Sequence, residues 1–556
     1  MNTISITLED GSTATHPIGA AVSALLTAPG NAAGLPYIAA LVNNDLVSLS
    51  YPLTVDSRVR FLAMDDPHGW RVYRRSLCFL LAKAVHALFP DASLNVEHSF
   101  GLGLYCSFSA GPDAENGLSA GDRERLVAHM EELVERDIPI ERRKIAYTDA
   151  LAEFERSGRI ATRNLLAHRN PPRVVLHWCE GFSDLAHGPL APSTGALSQF
   201  EIIPYPRGFV LHLPDRTDPT RIPPFEDQPH LFRIFQEHKE WGRILGVSTV
   251  GKLNELTAAG ESLYFVRTAE ALHEKKVARI ADAIAEARDR IRFVLVAGPS
   301  CAGKTTFAKR LTVHLTVNGI RPVTLGADDY FVGPEQNPLG DDGKPDFEHL
   351  EAVDIDLLNR HLVQLMNGET IDRPTYNFGT KQREYRGDRI TLDPDTVLIV
   401  EGIHGLNPRL THAVPTACTF RIYVSALTQL SLDVNNRIST TDNRLMRRIV
   451  RDHQFRGHSA LDTLRMWPNV RRGEKRWIFP FQQNTDATFN SALDYELGVL
   501  KPLVEPLLMQ VKPSHPEYAE ARRLTEFLLN FTAIPSRYVP AASILREYIG
   551  GSGFEY

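Results

Sequence analysis

Cysteine is scarce and unpatterned in this sequence. The five cysteines, Cys78, Cys106, Cys179, Cys301 and Cys418, include no C-x-x-C pair. That scatter argues against a zinc knuckle or a disulfide framework and fits a reducing compartment. Long apolar runs are also missing. No stretch of about 18 uninterrupted apolar residues occurs, so no membrane contact is expected. The opening MNTISITLEDGS has neither a basic start nor an apolar core. No secretion signal is therefore expected, and the cytoplasm is the expected location. A net charge of −6 gives no global drive toward nucleic acid, so any such contact needs a local patch. Repeats and low-complexity tracts are absent too. What remains is a globular composition, 43% hydrophobic and 23% charged over 556 residues. That length implies roughly two to four domains.

Several unlike pieces follow one another. Near the start, Ile4–Leu8 alternates, Asp10-Gly11 signals a hairpin, and Val59–Leu62 reads as a closing strand. From Trp70 to Phe89 apolar residues recur at helical spacing, stopped by Pro90. Residues to about 220 mix short strands and helices, and 228–290 read as helical. Beyond Arg292 the pattern changes. Phe293–Ala297 is a continuous apolar run, as in a parallel strand buried on both faces. A glycine loop, a helix over Lys304–Val317, and further strands at Pro322–Leu325 and Thr396–Val400 flank a helix over Ile355–Met366. Such alternation predicts a doubly wound parallel sheet, with ligands at the carboxyl ends of its strands.

The glycine loop reads Gly298-Pro299-Ser300-Cys301-Ala302-Gly303-Lys304-Thr305 and fits G-x-x-x-x-G-K-[ST] throughout. Its backbone N–H groups, with Thr306 just beyond, are expected to wrap the phosphates of ATP or GTP. Lys304 supplies a point charge to the β and γ phosphates, and the Thr305 hydroxyl is an expected Mg²⁺ ligand. At the end of the next strand stands Asp328-Asp329. A carboxylate there faces the γ-phosphate and can take the proton of an attacking hydroxyl, although an arbitrary Asp pair more often starts a turn. Downstream, Arg444–Arg476 carries ten basic residues against three acidic ones, a focused anion site in an acidic chain.

The order of further segments makes a resemblance specific. Asp328-Asp329-Tyr330-Phe331, then Asp346-Phe347-Glu348-His349, then Pro374-Thr375-Tyr376-Asn377-Phe378 resemble the successive nucleoside-site motifs of uridine–cytidine kinases. Val400-Glu401-Gly402-Ile403 resembles the metal-side strand end of that family, and Arg444–Asp452 its arginine-rich lid. The resemblance covers about 200 residues. It implies Asp328 as general base toward a ribose 5′-hydroxyl and Glu348 in place of an aspartate that holds the ribose hydroxyls. It implies Tyr376 as an aromatic pocket wall, Arg383 beside it, Tyr330 as a further substrate contact, and Glu401 as a Mg²⁺ partner of Thr305. Arg444, Arg447, Arg448 and Arg451 are expected to close over the triphosphate, Arg444 and Arg448 as catalytic groups. One departure concerns the base. Lys381 stands where the family usually has a histidine, and Asn377 where it has an aspartate. Lysine only donates hydrogen bonds, whereas neutral histidine also accepts, so base choice stays open.

The front of the chain resembles a second family. Arg74–Leu81 and Asp184–Pro189 are similar to segments of the TGS and editing-type region of threonyl-tRNA synthetase. In that family H-x-x-x-H and C-x-x-x-H form a metal- or substrate-binding cluster. Here the four positions read Arg75, Phe79, Ala186 and Leu190, none of which can do that work. Deacylation is therefore not expected. His177, Cys179 and His187 lie nearby without ligand spacing and read as structural.

The expected organisation is a β-grasp-like TGS domain at 1–64, an α+β editing-like domain at 65–225, a helical connector at 226–288, a P-loop domain at 289–510 and an extension at 511–556. The expected activity is ATP-dependent phosphorylation of a nucleoside 5′-hydroxyl, with uridine or cytidine favoured. A sugar phosphate acceptor, as in phosphoribulokinases, and an RNA-associated NTP-dependent switch are the alternatives. RNA contact through the front half and a homo-oligomer both stay open.

Overall fold

Phe293–Ala297 becomes the centre of a five-stranded sheet in the computed structural model, which describes residues 3–111, 117–341, 343–377, 379–393 and 395–555. The strand order is Arg321–Gly326, Thr396–Glu401, Phe293–Ala297, Thr419–Ser425, Ala487–Asn490, and every pairing is parallel. All five residues of the central strand are buried, as a strand covered on both faces requires. Helices Lys304–Val317 and Ile355–Met366 fall where the apolar spacing puts them. The two strands Thr419–Ser425 and Ala487–Asn490 complete the sheet beyond those read from sequence. Phe378, quoted in the pocket segment, lies outside the described residues.

Register settles what meets what. Gly326 pairs with Glu401 on one side of the second strand, and Val296 pairs with Glu401 on the other. Three strands therefore end together, and the chain leaving each end carries the phosphate loop, Asp328 or Glu401.

In the N-terminal part, residues 3–62 form a mixed five-stranded sheet, in which Thr3–Leu8 pairs antiparallel with Thr13–Pro17 and parallel with Ser57–Leu62. Helix Pro67–Leu88 follows. It is capped by Asp66, whose carboxylate accepts from the backbone N–H groups of His68 and Gly69. It packs near an antiparallel four-stranded sheet spanning Ser93–His212. Three helices, Pro229–Leu245, Val250–Ala258 and Ser262–Glu286, lead to the central strand of the C-terminal sheet.

The two halves are joined by hydrogen bonds. The loop before helix Thr440–Phe455 reaches into the N-terminal half. There the Asn435 side chain donates to Asp184 at 2.8 Å, Asn436 donates to the Leu185 carbonyl at 3.0 Å, and the Val96 N–H donates to the Val434 carbonyl at 2.9 Å.

Candidate phosphate-transfer site

The loop between strand and helix is shaped by its glycines. Gly298 has φ +159°, and a side chain there would meet the Val424 carbonyl oxygen at 1.9 Å. Gly303, at φ +82°, opens the helix in the left-handed region. Cys301 is the one non-glycine of the loop at positive φ, +58°, and it is buried. A non-glycine residue in that region is uncommon and needs surrounding support. The C-terminal extension provides part of it. Ile544 lies against Gly303, and Glu547 accepts from the Thr306 hydroxyl at 2.7 Å and from the Thr306 N–H at 3.3 Å.

Lys304 is 9% exposed, and its Nζ lies 3.7 Å from Glu401. The Thr305 hydroxyl donates to Glu401 at 3.3 Å. Glu401 is pushed up to about 7 by burial and by the neighbouring carboxylates Asp328 and Glu547, against the pull of Lys304. Asp328 sits just beyond the carboxyl end of its strand, exposed on one side and crowded by protein on the other. That crowding raises its carboxyl, while Lys304, Arg456 and Arg451 pull it down. Asp328, Glu401 and Lys304 thus share one electrostatic neighbourhood on one edge of the sheet.

The residues expected to meet the acceptor come from the segment around Glu348 and from a separate hairpin. Glu348 packs on Gly473 of helix Ala460–Trp477, and its carboxyl is pushed up to about 7 by burial, against the pull of Arg448. Its Oε2 is buried without a hydrogen-bond partner. Tyr376, 4% exposed, makes an edge-to-face contact with Phe331 at 5.5 Å between centroids. It lies on strand Ile371–Asn377 of a two-stranded hairpin with Gln382–Ile390. Lys381 is exposed at the tip of that hairpin with φ +56°, and Arg383 is paired with Asp354 at 3.0 Å.

Tyr330 is placed differently from the expectation that it contacts substrate. It is fully buried, its ring belongs to the core beneath the sheet, and its hydroxyl is 2.9 Å from His361 Nδ1. An aromatic body gains more from that core than from the cleft, and His361 satisfies its polar end. The expectation is corrected to a packing role.

The arginines of helix Thr440–Phe455 divide in two. Arg444 and Arg447 are essentially unexposed and cannot swing over a triphosphate. Arg444 pairs with Glu474 at 2.8 Å and donates to the Ser300 carbonyl at 3.0 Å. Arg447 pairs with Glu496 at 2.6 Å and donates to the Cys301 carbonyl at 3.3 Å. They brace the phosphate loop from beneath, which corrects the expectation that all four arginines close over it. Arg448 reaches the Ser300 hydroxyl at 3.0 Å, and both Arg448 and Arg451 pair with Asp452. Glu474, Glu496 and Glu547 are the functional partners missed in the sequence. The signal for Glu474 was a carboxylate set between Arg471-Arg472 and Lys475-Arg476.

At the former cluster positions of the N-terminal half, Phe79 and Leu190 are buried in one apolar core and Ala186 packs against it. Arg75 donates to the Pro189 carbonyl at 2.9 Å. His177 and His187 are each lowered to about 3, first by burial and then by nearby arginines, as neutral structural histidines would be.

Residues 293–497 match the model of the Phosphoribulokinase / Uridine kinase family. The N-terminal part is similar to threonine–tRNA ligases. Those of Desulforamulus reducens and of a Geobacter species are each 32% identical, over 201 and 202 residues. Both alignments cover 36% of this chain and 31% of the relative, so the chain spans about a third of the length of these curated relatives. Among solved structures, a possible uridine kinase from Bacillus stearothermophilus aligns at 16% identity over 38% of this chain and 98% of that chain, with a TM-score of 0.26. Residues 293–497 therefore have a P-loop kinase fold and match the phosphoribulokinase/uridine kinase family, preceded by a part similar to threonine–tRNA ligases.

Proposed function

We propose that the C-terminal domain transfers the γ-phosphoryl group of ATP, or of GTP, to the 5′-hydroxyl of a nucleoside, with uridine or cytidine as the favoured acceptors. The observation that carries this reading is the convergence of Asp328, Lys304 and Glu401 at one edge of the sheet, beside the loop that would hold the phosphates.

The chemistry follows from that edge. The acceptor oxygen attacks the γ-phosphorus as the bond to the β-phosphate oxygen breaks. The hydroxyl proton passes to the Asp328 carboxylate, and the nucleoside diphosphate leaves. Charge spreads over the moving oxygens, so positioned cations do most of the work. Lys304 faces the terminal phosphates, and Arg448 and Arg451 are the helix arginines nearest to that task. Thr305 and Glu401 offer two hard oxygen donors 3.3 Å apart, in a carboxylate cluster that a cation would relieve. They fit Mg²⁺, which when bound would neutralise the β and γ oxygens. Glu348 has a buried acceptor without a partner among the described residues, a valence that a ribose hydroxyl would satisfy. Tyr376, 4% exposed in the same core as Tyr330, would supply a flat wall only through the small part of its ring left open.

The test is a panel of nucleosides and ribulose 5-phosphate, each assayed with ATP and Mg²⁺. Turnover of uridine or cytidine to the monophosphate is expected. Turnover of ribulose 5-phosphate alone would move the acceptor to a sugar phosphate. ATP hydrolysis stimulated only by RNA would replace the transferase reading with a switch.

A further inference from the structure

Between the N-terminal half and the kinase domain lies a cleft of about 1780 Å³. Helix Pro67–Leu88 lines one wall, the segment around Gly188 another, and the loop entering helix Thr440–Phe455 a third. Arg74, Arg75 and Arg437 are three of the arginines that line it, close enough for Arg74 to act on the charge of each of the other two. Each keeps accessible surface toward the cleft while being crowded by protein on every other side.

Among the described residues, no carboxylate pairs with any of the three. Arg74 lies over the Trp70 ring at 4.8 Å, and Arg75 donates to one backbone carbonyl. The Nε of Arg437 is buried without a partner. The carboxylate that acts on Arg74 and Arg437, Asp442, is already held by two bonds of 2.8 Å from Arg523. Their charges also act on one another. Arg75 and Arg437 are each lowered to about 9, first by burial and then by neighbouring guanidinium groups. Crowding like charges with no counter-charge is costly, and a protein retains it where something anionic arrives.

We propose that this cleft binds a small phosphorylated molecule, held through its phosphate groups by Arg74, Arg75 and Arg437. Planar guanidinium forks match phosphate oxygens two at a time, and three unpaired cations call for an anion of more than one charge. The cleft is larger than a compact ligand fills, so the arginine cluster and not the whole volume sets where the phosphates sit. The site is also tied to the phosphate loop. Pro299 and Arg444 line the same cleft, and Arg437 stands three residues before the helix that carries Arg444 and Arg448 to Ser300.

The experiment uses the full chain carrying Lys304→Ala, which weakens the phosphate loop, titrated calorimetrically with inorganic pyrophosphate. One binding event is expected. Adding Arg75→Gln and Arg437→Gln should weaken it at least about tenfold, since each lost charge-assisted hydrogen bond is worth more than about 1.4 kcal/mol. Should the glutamine pair melt early, the Arg75→Lys, Arg437→Lys pair decides. Weakened binding on an intact melt supports the site, and unchanged binding overturns it. Absence of pyrophosphate binding to the Lys304→Ala chain overturns it as well. So does a short single-stranded RNA that binds the cleft when pyrophosphate does not.

Discussion

Two groups of crowded arginines, one against the phosphate loop and one in the cleft between the halves, differ in what faces them. Arg444 and Arg447 each meet a buried glutamate and a carbonyl of the phosphate loop. Arg74, Arg75 and Arg437, on the other side of the junction, meet no carboxylate among the described residues. The first group is internal architecture, its charge cancelled where it sits. The second is an open valence. A basic residue in sequence therefore says little about function until its counter-charge is located.

The largest effect should come from breaking the closed group. Removing one partner of a buried ion pair strands the other, so Arg447→Ala should destabilise the chain by about 3–5 kcal/mol in chemical denaturation. Arg437→Gln, which removes an unpaired charge, should leave the melting temperature unchanged or raise it. A large loss in that variant would place Arg437 in the closed group and erase the contrast.

A second test uses pH. Asp433 is fully buried at the junction, accepts from the N–H of Asn436 at 2.9 Å, and is pushed up to about 7 by burial and by the neighbouring Asp184. Its folded form holds its proton more tightly than the unfolded chain. The stability it contributes is thus complete below about pH 4 and lost as pH rises through about 7. Asp433→Asn should melt ~2–4 °C above wild type at pH 8 and level with it at pH 4. An equal difference at both values would remove Asp433 from the linkage.

The smallest effect concerns the tail. Glu547 sets a carboxylate on the Thr306 N–H and hydroxyl, at a helix N-terminus suited to phosphate. Neutralising it as Glu547→Gln should tighten ATP binding roughly threefold, as expected of a partly exposed charge. Weaker binding would show that its hold on Thr306 matters more to the loop than its charge does to the phosphates.

What the sequence revealed was local. The strand, loop and helix around Lys304 follow from a five-residue apolar run and fixed glycine positions, and helix Ile355–Met366 kept its bounds. Asp328 could be placed just past a strand end from the apolar run before it, while its proposed role came from the order of the segments that follow. What it hid was distant. Glu474 and Glu496 lie 30 and 49 residues from the arginines they neutralise, and Glu547 lies 241 from Thr306. Tyr330 was misplaced because a core position and a cleft position are neighbours on a short turn. The replaced cluster at Arg75, Phe79, Ala186 and Leu190 was readable as lost chemistry, but the added cation at Arg437 comes from the other half of the chain.

The most direct measurement is the comparison of wild type with Asp328→Asn for nucleoside phosphorylation and for ATP affinity. A proton-accepting role predicts that kcat falls roughly 10²–10⁴-fold while ATP binding is retained. An unchanged kcat would contradict the assignment, whatever the acceptor proves to be.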